Sequence, residues 1–199
     1  MRTQRIVVLR FLVIGSLGLS GFLPAQTSAQ DQQKAMDVYM KAGAVTENHA
    51  YLKQFVGMWD VKTTMWMAPG QQPMSSPGTY ESRLIMGGRF LEMDFKGMMM
   101  GQPFEGMMVI GYDNTLKKYV TFWIDNSSTS FYLTSGVRDA AKNITTETGD
   151  WPDPMTGKAT KVRQVTRWAN PNEFVYEQYM GMPDGKEFKS MELHATRKK

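Results

Sequence analysis

The 199-residue chain contains no cysteine. That excludes disulfides, thiolate metal sites, a cysteine nucleophile and lipid attachment of the bacterial lipoprotein kind. Histidine is almost as scarce, with only His49 and His194, far apart in the chain. There is no H-E-x-x-H or paired-histidine signature, no nucleophile elbow and no phosphate loop. No run of five or six like charges occurs, so a nucleic-acid footprint is missing. The apolar run Phe11–Leu23 has 13 residues. At about 1.5 Å per residue it falls well short of a hydrocarbon core roughly 30 Å thick.

That short run belongs to a different device. Arg2, Arg5 and Arg10 form a basic segment before it, Pro24 follows it, and Thr27-Ser28-Ala29 supplies small residues. This is the three-part layout of a cleavable secretory signal. Residues 1–29 are therefore expected to be removed, and the mature chain to act in the periplasm or outside the cell, with no stable membrane insertion after cleavage. The formal charge of +4 includes the three signal arginines, so the mature balance is only +1. The remaining 170 of the 199 residues suit one domain held together by burial alone.

Residues 30–56 read as a helical arm. Asp31–Ala42 carries Ala35, Met36, Tyr39 and Met40 at helical spacing. A second short helix is expected over Glu47–Val56, with Thr46 as its cap, Leu52, Phe55 and Val56 on its buried face, and Gly57 at its end. From residue 57 to 199 the pattern changes to about ten runs of β-branched and aromatic residues. Turn punctuation such as Pro69-Gly70, Gly87-Gly88, Asp113-Asn114 and Pro183-Asp184-Gly185 separates them. A long meander without crossover helices hides its edges best by closing. The expected fold is thus all-β, an antiparallel up-and-down barrel of about ten strands behind a short helical arm.

Gly57-Met58-Trp59 heads the first strand and Arg197 lies near the end of the last. This resembles the lipocalin and fatty-acid-binding superfamily, in which a G-x-W tryptophan closes one barrel end beneath a C-terminal basic side chain. Gly57, Trp59 and Arg197 are accordingly expected to close the barrel. A closer resemblance spans nearly the whole mature chain. Phe55-Val56-Gly57-Met58-Trp59-Asp60-Val61, Gly87-Gly88-Arg89-Phe90-Leu91, Gly101-Gln102-Pro103-Phe104-Glu105-Gly106, Trp123-Ile124-Asp125 and Pro183-Asp184-Gly185-Lys186-Glu187-Phe188-Lys189 look like a bacterial lipocalin-like family catalogued as domain of unknown function 1579. The resemblance implies the fold and brings no catalytic residue. Haem-binding nitrobindin-like barrels carry a histidine on their last strand. Here Glu192 takes that place, and Asp60 and Val61 follow Trp59 where their G-x-W-x-G signature needs glycine.

Candidate site residues come from the strands. Trp123 and Asp125 share a face by alternation and set an indole beside a carboxylate, which suits a lumen with a polar handle as well as a core indole beside a turn. Arg89 and Glu105 sit inside strand-like runs, where a buried charge needs a partner and an exposed one needs none. The 18 methionines suit an adaptable pocket or an ordinary core. The binding assignment gives Trp123 as a wall, Asp125 and Arg89 as polar contacts, and Glu105 as an orienting partner. Met107, Tyr176 and Phe188 complete it as apolar lining. In the last strand Met191, Leu193, Ala195 and Arg197 share one face, taken as inward, and Phe188, Ser190, Glu192 and His194 share the other, unless a bulge reverses the phase.

The expected partner is a small apolar or amphipathic molecule such as a fatty acid or other lipid fragment. No metal and no cofactor is implied, and nothing in the patterning fixes an oligomeric state. An interaction module using the N-terminal arm is the alternative. An enzyme using carboxylates such as Asp94, Glu105 or Asp125 is a lesser one, as is a haem-binding barrel.

Overall fold

The computed structural model describes residues 28–199 apart from Met155. Residues 1–27, which hold nearly all of the expected signal, lie outside the described residues. The chain divides after Asp37 into two units. In the first, the helix α1 (Ala29–Ala42) begins at Ser28, whose Oγ accepts the Asp31 amide at 3.1 Å and so caps it. The second unit, Val38–Lys199, holds the end of α1, the helix α2 (Glu47–Leu52), a 3₁₀ turn over Lys53–Phe55 and all the strands. Among the described residues no helix is long and apolar enough to cross a membrane.

Ten strands follow: β1 (Gly57–Met65), β2 (Met74–Ile85), β3 (Phe90–Met99), β4 (Gln102–Asp113), β5 (Lys118–Asp125), β6 (Tyr132–Asp139), β7 (Ile144–Asp153), β8 (Lys158–Asn170), β9 (Glu173–Gly181) and β10 (Glu187–Arg197). Each pairs antiparallel with its sequence neighbours, and β1 pairs with β10, so the sheet closes into an up-and-down barrel. Closure leaves no unpaired edge among the described strands. Alternation fixes the phase: Trp59, Val61 and Thr63 on β1 are buried while Asp60 and Lys62 are exposed.

α2 and its 3₁₀ turn plug one end. Leu52 is fully buried and Phe55 is 4 % exposed, each contributing roughly 1.5–3 kcal/mol by burial. Phe55 packs on Trp168 and Phe174 at centroid distances of 4.8 and 5.2 Å, and Trp59 packs on Phe174 at 5.0 Å. The Trp59 indole N–H donates to the Phe55 carbonyl at 2.8 Å. α2 ends at Leu52, sooner than the expected Val56, and Val56 itself is exposed. Thr46 caps α2 reciprocally with His49: the Thr46 amide donates to His49 Nδ1 at 3.0 Å.

Arg197 holds the plug in place. Its guanidinium carbon lies 4.1 Å from the Trp59 ring centroid, and its nitrogens donate to the carbonyls of Val56 and Gln54 at 2.7 Å each. Those carbonyls end the 3₁₀ turn, where acceptors lack intrahelical partners. Gly57 is required here twice over. Its φ is +122°, and a Cβ would lie 3.1 Å from an Arg197 nitrogen.

Candidate functional site

The strands deliver buried polar chemistry to the barrel lumen, while a larger concavity of about 330 Å³ is lined by Thr148, Gly149, Asp150, Lys161, Val162, Arg163 and Glu187. The lumen is aromatic at its plug end and polar in its middle. Tyr51 accepts from the Trp168 indole at 3.1 Å and bonds Thr145 at 3.1 Å. Thr121 on β5 donates to both oxygens of Glu147 on β7, at 3.1 and 3.0 Å. Glu147 is 9 % exposed, and no ion pair reaches it among the described residues. Burial pushes its carboxyl up to about 7, while the Thr121 hydroxyl pulls the other way.

A ladder of neutral polar groups continues from there. Thr134 donates to Gln164 at 3.0 Å, Gln164 to Gln178 at 3.5 Å, Tyr176 to Gln178 at 3.2 Å, and Gln178 to Ser190 at 3.4 Å. Glu147 is the register partner of Gln164, so it borders this ladder. The Thr63 and Ser82 hydroxyls, both buried, have no hydrogen-bond partner among the described residues. Tyr80, Tyr132 and Tyr176 are held far from ionisation, by burial first and by neighbouring tyrosines and carboxylates after it. They serve as neutral hydroxyls. A cavity of about 20 Å³ lies between the plug and the barrel wall, lined by Tyr51, Leu52, Phe55, Ile110, Tyr119, Thr145, Glu147 and Thr166.

The sequence-derived residues divide between lumen and exterior. The Trp123 indole donates to Asp125 at 2.8 Å, and Asp125 also accepts from the Ser127 amide and hydroxyl at 2.9 and 2.6 Å. The carboxylate therefore orients an indole and ties down the β5–β6 turn. The indole lies across Gly106, where a Cβ would come within 2.3 Å of it. Tyr176 points inward onto Gln178. Phe188 is the register partner of Met180, which follows Gln178 in the inward series of β9. It faces inward because β10 has a bulge between Lys189 and Met191. Phe188 and Ser190 share the lumen side before the bulge, and Leu193 and Ala195 are buried on it after.

Three assigned residues take other places. Arg89 donates to the carbonyls of Gly43 at 2.9 Å and Met86 at 3.3 Å, fastening the segment after α1 to the barrel. Asn114 does the same for Ala42 and Ala44, at 2.9 and 2.7 Å. Glu105 and Met107 flank Gly106 and alternate to the outer face, since Gly106 meets the inward Trp123. Asp94 pairs with Arg83 on the outside. His194 is exposed and bonded to Glu192 at 2.8 Å, while His49 serves the α2 cap. Among the described residues no group of three or more His, Asp or Glu side chains is placed to hold a metal ion.

Sequence reasoning missed Glu147, Thr121, Gln164 and Gln178. β7 opens Ile144-Thr145-Thr146-Glu147-Thr148-Gly149, which is polar on both faces and gives alternation nothing to read. The one usable signal was the glutamines: Gln164 and Gln178 each interrupt apolar positions of the same parity on neighbouring strands.

Fold and lumen together define a closed ten-stranded barrel with a polar layer inside it. The model of a family described as "Protein of unknown function (DUF1579)" matches residues 44–197, and the chain belongs to that family. No curated protein matches the chain. Among solved structures it is similar to Rv2717c from M. tuberculosis, with a TM-score of 0.59 and 12 % identity, over 78 % of this chain and all of that one. At that identity the likeness shows the fold alone. A redesigned β barrel is similar at a TM-score of 0.39 and 14 % identity, over 74 % of this chain and 95 % of that one.

Proposed function

We propose that this protein is an exported binding protein whose barrel takes a small apolar or amphipathic ligand. One observation carries the reading: among the described residues the lumen buries a carboxylate with no counterion together with two hydroxyls that have no partner. Each such group costs stability in a core whose only task is to be packed. Side chains of this kind are retained where a ligand completes them. The inward methionines Met93 and Met108, with Phe104, Trp123, Tyr176 and Phe188, supply apolar walls around the polar layer. Export is supported by the basic segment, the 13-residue apolar run and Thr27-Ser28-Ala29.

The test is a titration of the mature protein with ten-carbon alcohols, acids and amines, following indole emission. Saturable change that disappears in Trp123→Phe supports the reading. No response to any of them removes it. A second reading, a filled barrel that acts through its arm, is favoured by the exposure of Val38, Tyr39 and Met40 at the end of α1. In that case removing residues 30–41 alters self-association or partner capture and leaves barrel stability unchanged.

A further inference from the structure

The proposed ligand class can be narrowed by what surrounds Glu147. We infer that the ligand carries a primary ammonium head, seated against Glu147 in the cavity beneath the plug. The inference rests on the binding reading above and names the chemistry of the head.

The cavity measures about 20 Å³. That is room for one water-sized group, and a primary ammonium is about that size. Its wall offers the Glu147 carboxylate, the hydroxyls of Thr145 and Thr166, and the rings of Tyr51, Phe55 and Tyr119. Aromatic rings favour a cation close by, and a carboxylate favours it more. Among the described residues Glu147 accepts only from Thr121, and two carboxylate oxygens have about four acceptor positions between them. An ammonium brings three donors and the missing charge together.

The two guanidinium groups that border the plug contact rings, an amide oxygen and carbonyls rather than Glu147. Arg138 on β6 lies 4.2 Å from the Tyr51 centroid and donates to Asn143 at 2.9 Å, and among the described residues it has no hydrogen bond or ion pair with Glu147. Arg197 is committed to the plug carbonyls. A carboxylate head in the same cavity would face Glu147, and in the lumen beyond it Asp125. One feature favours an acid: the Arg138 Nε is buried and unpartnered. A donor on a guanidinium already bonded to Asn143 and lying over Tyr51 is a poorer seat than an open carboxylate, and the experiment separates the two.

Mature protein is titrated at pH 7.5 with decylamine, decan-1-ol, decanoate and decyltrimethylammonium, each below its micelle concentration, by calorimetry and indole emission. Decylamine is expected to bind about tenfold or more tightly than decan-1-ol, the range of a charge-assisted hydrogen bond. Glu147→Gln should erase that preference. Decyltrimethylammonium should lose the advantage as well, because its head exceeds the cavity. Decanoate binding as tightly as the amine would overturn the ammonium head and point to Arg138. So would an amine preference that survives in Glu147→Gln or is shared by the quaternary head. In those cases a ligand still binds and the broader reading stands. Silence from all four compounds overturns both.

Discussion

At the scale of single residues, the costs and gains are concentrated in Glu147, Trp59 and Arg197. The Glu147 carboxyl is raised from 4.5 to about 7 because burial penalises its charge. Below pH 4.5 folded and unfolded chains both hold the proton, and the group is neutral to stability. Between 4.5 and 7 the unfolded chain releases it and the native chain does not, so stability falls as pH rises. Above 7 the loss is complete, at about 3 kcal/mol. Glu147→Gln should therefore stabilise the protein by about that amount at pH 8 and by nothing measurable at pH 4, read from urea midpoints. An equal effect at both pH values would rule out ionisation as the cause. Trp59 is fully buried under the Arg197 guanidinium. Trp59→Ala should cost about 3–5 kcal/mol. Arg197→Lys should cost about 1–2 kcal/mol, because an ammonium cannot reach two carbonyls in a fork while lying flat on the indole. Denaturant curves for both variants test the ranking. The Trp59–Arg197 pair was expected through the resemblance of Gly57-Met58-Trp59 to the G-x-W of lipocalin-like barrels. Glu147 was not, because a carboxylate amid threonines looks the same facing water as facing a lumen.

At the scale of elements, turn chemistry carried most of the information. Ten strands were legible because glycine, proline, asparagine and aspartate punctuate them, and β2 runs back through Met74–Pro77, a stretch with no strand pattern of its own. The hairpin between β3 and β4 is a two-residue turn, Met100-Gly101, with φ of +52° and +79°. Both central residues on the left-handed side define a type I′ turn, whose preferred pair is Asn-Gly. Methionine at the first position is strained there, and it is exposed. Met100→Asn should stabilise the hairpin by about 0.5–1 kcal/mol. A thermal or urea midpoint that fails to rise would count against the turn assignment. β10 shows where such reading stops. A strict alternation cannot place both Phe188 and Leu193 inward, and the bulge after Lys189 that does so leaves no mark in the local sequence.

At the scale of the whole molecule, the decisive pairing is the least local one. β1 and β10 meet over Trp59–Met65 and Met191–Arg197, and the Lys198 amide donates to the Met58 carbonyl at 2.8 Å. Every other neighbour pair is joined by a short connection, so nine ladders can form locally and the tenth closes the ring across the full domain. The same strand carries Arg197, which reaches the plug and also donates to Pro171 at 3.3 Å in the β8–β9 turn. β10 therefore completes the sheet and locks the plug at once. A chain ending at Gly185 should lose both functions and leave β1 and β9 with open edges. Exposed edges with apolar neighbours pair with other chains. The truncated protein is expected to elute as oligomers or to precipitate, and to lose the near-ultraviolet signal of the Trp59, Trp168 and Phe174 cluster. Adding a synthetic peptide of residues 186–199 should restore a monomer-sized complex, because the missing strand finds two prepared edges and three waiting carbonyls. A truncated chain that stays monomeric with its aromatic signal intact would mean that β10 is dispensable, and that the plug is held from the β8–β9 side instead.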